Sequence, residues 1–296
     1  MVKKSQHAAI LTAILAAALY ALNSPLSKLL LERVPPTMMA ALLYLGAGIG
    51  LAAVRAVQRG LHVENREVPL SRADWPYVAG MVALDIAAPI CLMVGLSRTT
   101  AANASLLNNF EIVATSVIAL CLFGEAISRR LWMAIALVTL SSMILSFEDA
   151  GSLRFSVGSL FVLLACVCWG FENNCTRRIS GKDPLQIVVI KGFGSGLGAL
   201  AIALGLGEEC PAPGAVLCAL ALGFVAYGLS IFFYIHAQRR LGAAKTSAYY
   251  AVSPFIGTAL SLLIFREWPA LSFWVALAIM GAGAYLASKD EAPDGC

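Results

Sequence analysis

Two stretches decide the reading of this chain: Arg98–Glu125, RTTAANASLLNNFEIVATSVIALCLFGE, and Arg240–Glu267, RLGAAKTSAYYAVSPFIGTALSLLIFRE. They align without a gap and agree at Arg98/Arg240, Ala101/Ala243, Ala102/Ala244, Ser105/Ser247, Leu120/Leu262, Phe123/Phe265 and Glu125/Glu267. Each is an apolar run long enough to cross a bilayer, with polar residues near its middle. A second, shorter correspondence sets Tyr20–Lys28 against Trp169–Arg177, each a polar interruption of an apolar run. The chain therefore reads as two related halves, 1–147 and 148–296.

Composition agrees. Of 296 residues 59% are hydrophobic and 13% charged, with a mean hydropathy of +0.81. A soluble domain carries about a quarter charged residues, so an ordinary globular enzyme, a nucleic-acid binder and a disordered chain are excluded. Apolar windows between charged or Pro/Gly breaks give ten spans, at about 8–31, 36–57, 75–96, 101–123, 131–147, 156–176, 184–206, 214–238, 244–265 and 270–287. Lys3-Lys4 and the run behind it imitate a signal peptide. The run continues to about Leu31, so it reads as a retained first helix. The stretch 58–74, with Arg59, Arg66 and Arg72, reads as a surface loop.

Basic residues set the orientation. With the N-terminus inside, the inner loops hold Lys3, Lys4, Arg55, Arg59, Arg66, Arg72, Arg129, Arg130, Arg177, Arg178, Lys182, Arg239, Arg240, Lys245 and Lys289. The outer loops hold Arg33, Arg98, Arg154 and Arg266. The excess predicts cytoplasmic termini and a multi-pass plasma-membrane protein. Five helices per half is odd, so the second half enters the membrane from the opposite side. The expected fold is all-α, with ten transmembrane helices as two inverted five-helix repeats.

Ten spans in two halves, with Phe-Gly-Glu125 and Phe-Arg-Glu267 closing the fourth helix of each, resemble the EamA family of the drug/metabolite transporter superfamily. The resemblance covers nearly the whole chain. It implies a transporter, with efflux the usual direction and solutes that vary widely among members. The family often places an acid before a proline in helix four. Here Ile112 follows Glu111, whereas the second half keeps Ser253-Pro254.

Charge at mid-bilayer is costly and normally faces a cavity or a partner. Four ionisable residues fall there: Asp85, Glu111, Glu172 and Lys191. Asp85 has Lys191 as an obvious partner. Three acids against one base favour a cationic or zwitterionic solute and permit proton exchange. The acids lie on polar stripes at helical spacing: Asn108, Glu111 and Thr115; Trp169, Glu172, Asn173 and Thr176. Tyr20, Asn23, Ser24 and Ser27 offer a third stripe, and Tyr227, Tyr234, Ser247, Tyr250 and Ser253 a fourth. Interhelical hydrogen bonding accounts for any one Asn or Ser, but poorly for the set. Trp169 and Tyr250 are expected to shape the pocket.

Pro25, Pro89 and Pro254 release the carbonyls of Ala21, Asp85 and Tyr250, which serves gating, a polar lining or simple packing. Gly46/Gly50, Gly192/Gly196 and Gly194/Gly198 mark close helix approach in spans 2 and 7. Glu125 and Glu267 are expected to cap the helices that follow, and Arg177 lies within reach of an inner mouth. The cysteines form no C-x-x-C pair, and His7, His62 and His236 are far apart. No metal or cofactor is expected, and no clustered nucleophile and base supports an enzyme. Without an ATP-binding motif, transport must draw on gradients.

The expected activity is secondary transport, as an exporter, of a small organic solute such as an amino acid or amine, by alternating access with protons as candidate co-substrate. A lipid-carrier flippase or a divalent-metal resistance permease is the alternative on the same fold. Solute and protons are the expected partners within the lipid bilayer, nucleic acid is not, and oligomeric state is not legible.

Overall fold

The computed structural model describes residues 2–61, 67–123, 128–149, 154–241, 249–266 and 268–288. Its helices are α1 (Val2–Ala21), α2 (Asn23–Leu30), α3 (Pro36–Gly60), α4 (Trp75–Arg98), α5 (Ala101–Leu107), α6 (Phe110–Phe123) and α7 (Arg129–Ser146). The second half supplies α8 (Val157–Ile179), α9 (Pro184–Gly205), α10 (Pro213–Gly223), α11 (Ser230–Leu241), α12 (Ser253–Phe265) and α13 (Leu271–Ser288). Among the described residues, seven helical segments are long and apolar enough to cross a membrane: 7–30, 36–60, 72–98, 101–122, 157–179, 184–205 and 213–237. The protein is an all-helical, multi-pass membrane protein.

Helix starts follow local chemistry. Thr100 accepts from Asn103 N at 3.1 Å and Ser156 from Ser159 N at 3.2 Å, capping α5 and α8. Asp183 Oδ1 accepts from Leu185 N at 2.9 Å, ahead of Pro184 in the first turn of α9. The start of α3 is capped from elsewhere in the chain: the Glu208 carboxylate accepts from Thr37 N at 3.2 Å and Met38 N at 2.7 Å. At the other end of α3, Arg55 pairs with Asp183 at 3.0 Å.

Among the described residues four spans are not regular helices. The first breaks at Leu22, the fourth at Asn108–Asn109 and the ninth at Ala251–Val252. The eighth passes through a π-helical turn, Phe224–Leu229, between α10 and α11. The fourth-span break and the sixth span's unbroken α8 were not foreseen. Nor was a short antiparallel ribbon pairing β1 (Phe147–Asp149) with β2 (Arg154–Phe155). Of the three prolines, Pro25 and Pro254 stand in the first turn after a break, whereas α4 runs through Pro89 without interruption. Within the 58–74 stretch α3 extends to Gly60, and a 3₁₀ turn spans Arg72–Asp74.

The bundle is organised by paired helices. α3 packs along α9, α4 along α8, α7 along α13 and α1 along α11. The glycines foreseen in spans 2 and 7 do lie at packing seams. A Cβ on Gly192 would collide with the Gly48 backbone, one on Gly46 with Leu220 and one on Gly196 with Leu45. Leu11, Ile49, Leu122, Leu197 and Leu263 point outward, while Asn23, Asp85, Glu172 and Lys191 are buried. That arrangement suits lipid outside and a polar interior.

Candidate functional site

The centre of the site is an ion triad. Lys191 Nζ on α9 lies 3.0 Å from Asp85 Oδ2 on α4 and 2.9 Å from Glu172 Oε1 on α8. All three are deeply buried, at 5%, 0% and 3% exposure. The Tyr44 hydroxyl on α3 donates to Asp85 Oδ1 at 2.8 Å, and Thr176 donates to Glu172 one turn further along α8. With both acids ionised the triad holds one negative charge in excess. Such an arrangement is tolerable in a low-dielectric core only because each carboxylate has a charged and a hydroxyl partner. The expected Asp85–Lys191 pair is present, with Glu172 as its third member.

Glu111 stands apart from the triad. Its Oε1 accepts from Asn173 Nδ2 at 2.6 Å, and the same amide reaches Thr115 Oγ1 at 3.3 Å. Glu111 and Asn173 are half-buried, more open than the triad. Two of the predicted stripes thus meet across α6 and α8. Asn108 does not join that network. Trp169 belongs to the buried apolar cluster that also holds Leu106, Leu107 and Val162.

Beside the acids lies a chain of tyrosines. Tyr44 and Tyr227 ring centroids are 5.0 Å apart, Tyr227 and Tyr20 5.8 Å, Tyr20 and Tyr250 5.8 Å, and Tyr250 and Tyr234 4.9 Å. Asn23 Nδ2 donates to the Tyr227 hydroxyl at 3.1 Å, and Ser27 donates to Asn23 Oδ1 at 3.0 Å. Tyr250 and Ser230 hydroxyls lie 3.3 Å apart. Faces of aromatic rings attract ammonium groups, so this chain and the carboxylates offer complementary surfaces to one cation. Tyr44 was not singled out by the sequence. Its signal was one hydroxyl in the middle of the small and apolar residues of α3.

A small cavity sits where three spans break. Tyr20, Ala21, Ser24, Ser105, Asn108, Ser253, Pro254 and Gly257 line it, and its volume of about 10 Å³ is close to the smallest that admits one water. Pro254 lines it, and so does Ser24, the residue before Pro25. Ser247 of the fourth stripe, and Glu125 and Glu267, lie outside the described residues, as do Arg66, Lys245 and Lys289. Arg177 is exposed at the end of α8, away from the triad.

Comparison with known proteins agrees with this architecture. A solved crystal structure superposes with a TM-score of 0.67 at 19% identity, covering 97% of this chain and 99% of the other, which speaks to fold alone. An uncharacterized transporter of Methanothermobacter thermautotrophicus is 26% identical over 281 residues, covering 90% of this chain and 82% of that protein. The EamA-like transporter family model matches residues 7–147 and again 156–289. A polar interior at broken apolar helices and a family match over nearly the whole length lead to one conclusion: the chain belongs to the EamA-like transporter family and is a transporter of small molecules, not an enzyme.

Proposed function

We propose that the chain is a secondary transporter that exports a small cationic or zwitterionic solute, an amino acid or amine, by alternating access with proton exchange. The observation that carries this reading is the charge balance of the core. Asp85 and Glu172 share the single ammonium of Lys191, while Glu111 rests on the neutral amide of Asn173. Glu111 takes its hydrogen bond from an amide and not from an ammonium, and it is the more open carboxylate. It is the group we assign to solute or proton binding, with Asn173 and Thr115 orienting it. Glu172, Asp85 and Lys191 form the rigid counter-charge, and Tyr250 and Asn23 border the solute.

The proposed architecture is ten crossings as two inverted five-helix repeats, residues 1–147 and 148–296, with both termini cytoplasmic in the plasma membrane. The pairing of helices supports it. Exchange of the halves turns the α4–α8 contact into the α11–α1 contact and the α6–α8 contact into the α12–α1 contact. The pairs α3–α9 and α7–α13 map onto themselves. Such a pattern fits a pseudo-two-fold axis in the membrane plane. The two blocks of the family match support the same division.

A divalent-metal permease would need the acids to converge on one ion. Lys191 instead occupies the space between Asp85 and Glu172, and Glu111 is turned to Asn173. The test is uptake of amino acids, amines, nucleosides and organic anions by liposomes under an imposed pH gradient. Amines or amino acids should move, and Glu111→Gln or Glu172→Gln should abolish movement in protein that still folds. Undiminished transport in both variants removes these residues from the mechanism.

A further inference from the structure

We propose that the cavity at the three helix breaks is a binding site for one dehydrated monovalent cation of sodium size. The proposal does not rest on the solute reading, because it concerns a separate group of atoms and is tested by binding alone.

Three side-chain oxygens in the lining have no hydrogen-bond partner: Ser105 Oγ, Asn108 Oδ1 and Ser253 Oγ. Their residues are 3%, 7% and 1% exposed, so water outside the protein does not satisfy them. Unsatisfied buried acceptors are costly and point to a bound group. A fourth oxygen is the Ala21 carbonyl, which Pro25 leaves without its helical donor. Gly257 shows that two of these converge. The Cβ that a side chain there would carry lies 3.0 Å from Ser105 Oγ and 3.1 Å from Ala21 O. Both oxygens therefore stand against the bare face of Gly257.

The chemistry selects the ligand. A carbonyl and an amide oxygen only accept, and serine hydroxyls can turn their lone pairs inward. Among the described residues no cationic side chain lines the cavity, which disfavours an anion. Among the described residues no carboxylate lines it either, which disfavours calcium or magnesium, since these draw on charged oxygen ligands. Oxygens of unwound backbone and hydroxyls at broken helices are the donor set that membrane proteins offer sodium. Glu111, one turn beyond Asn108, and the excess carboxylates of the core favour a cation over a neutral water. The site joins α2, α5 and α12, so occupancy ties the first half of the chain to the second.

The experiment is thermal unfolding of the purified full chain in chloride salts mixed at constant ionic strength. Ligands of the folded state raise the melting temperature by mass action. Sodium should give a saturable rise, potassium a smaller one and choline none. Ser105→Ala, Ser253→Ala and Gly257→Ala should each weaken half-saturation by about tenfold or more, a measurable change in affinity. Ser141→Ala, whose hydroxyl is committed to Ala276 O at 2.6 Å, should leave the response intact. The wild-type titration needs no variant to fold. Equal melting in sodium and choline overturns the proposal and leaves a trapped water. Stabilisation by methylammonium without sodium also overturns it, assigning the oxygens to the ammonium end of a solute. A sodium response that persists in all three variants places the ion elsewhere.

Discussion

Lys191 Nζ lies almost equally far from two carboxylates, but its contact with Glu172 Oε1, at 2.9 Å, joins neighbouring helices of the second half of the chain. The contact with Asp85 crosses to the first half. One ammonium therefore fastens α4, α8 and α9 together, and its removal leaves two facing acids.

Replacing Lys191 by Met should be among the most damaging single changes. Breaking a buried pair from one side costs about 3–5 kcal/mol. Adding Asp85→Asn to Lys191→Met should restore part of that loss, because one of the stranded charges is then gone. Melting of the single and double variants in detergent tests the coupling. An additive double variant would mean the triad is not one unit.

Tyr44→Phe removes the hydroxyl that donates to Asp85 while keeping the ring against Tyr227. A hydrogen bond to a charged acceptor contributes about 1.5–3 kcal/mol. The expected result is a lower melting temperature with transport of the remaining folded protein reduced, read by melting and by liposome uptake in parallel.

Glycines in this bundle should divide by what surrounds them. Gly192→Ala places a methyl into the Gly48 backbone and should destabilise by about 1–3 kcal/mol, as overpacking does. Gly281→Ala in α13 meets nothing within 4 Å and should stabilise by about 0.5–1 kcal/mol through helix propensity. Opposite signs in a melting comparison are the expected outcome. A stabilising Gly192→Ala would refute the close seam.

Arg266 ends α12 in the left-handed region, at φ 52° and ψ 30°, where an L side chain costs roughly 1–2 kcal/mol. Arg266→Gly should therefore stabilise the chain by about 1 kcal/mol. A drop in melting temperature would show that the arginine side chain has an interaction worth more than the strain.

At the opposite end of the molecule from Arg55–Asp183, Glu208→Ala should cost about 0.5–2 kcal/mol by uncapping α3. The check is melting of Glu208→Ala beside Glu209→Ala, whose carboxylate is not part of that cap.

Much of the site was legible because charge in an apolar run has few physical excuses. The Asp85–Lys191 pair could be drawn from charge placed in apolar runs, and the glycine seams from spacing. Rotation was harder to read. α10 and α13 are apolar nearly all round, which suits lipid and erases the periodicity from which a face is inferred. Asn108 was grouped with Glu111 by spacing, yet the break between them turns it into the cavity. That break carries no proline. Asn109 Nδ2 bonds back to Leu106 O at 3.4 Å, a local competitor to the helix that a hydropathy window does not register. Tyr44 and the second contact of Lys191, to Glu172, depend on how separate helices dock, which no single span encodes.

The π-helical turn at Phe224–Leu229 has a bearing on how this chain can be aligned and altered. A wider turn accommodates one residue more than the α-helix around it, so the faces before and after it run out of phase. Tyr227 keeps its place between Tyr20 and Tyr44 by virtue of that extra residue. A related chain one residue shorter here would straighten into ordinary helix and carry every later side chain about a quarter-turn around. For this span, a one-residue gap in an alignment is a change of what faces the interior, not a loop of different length.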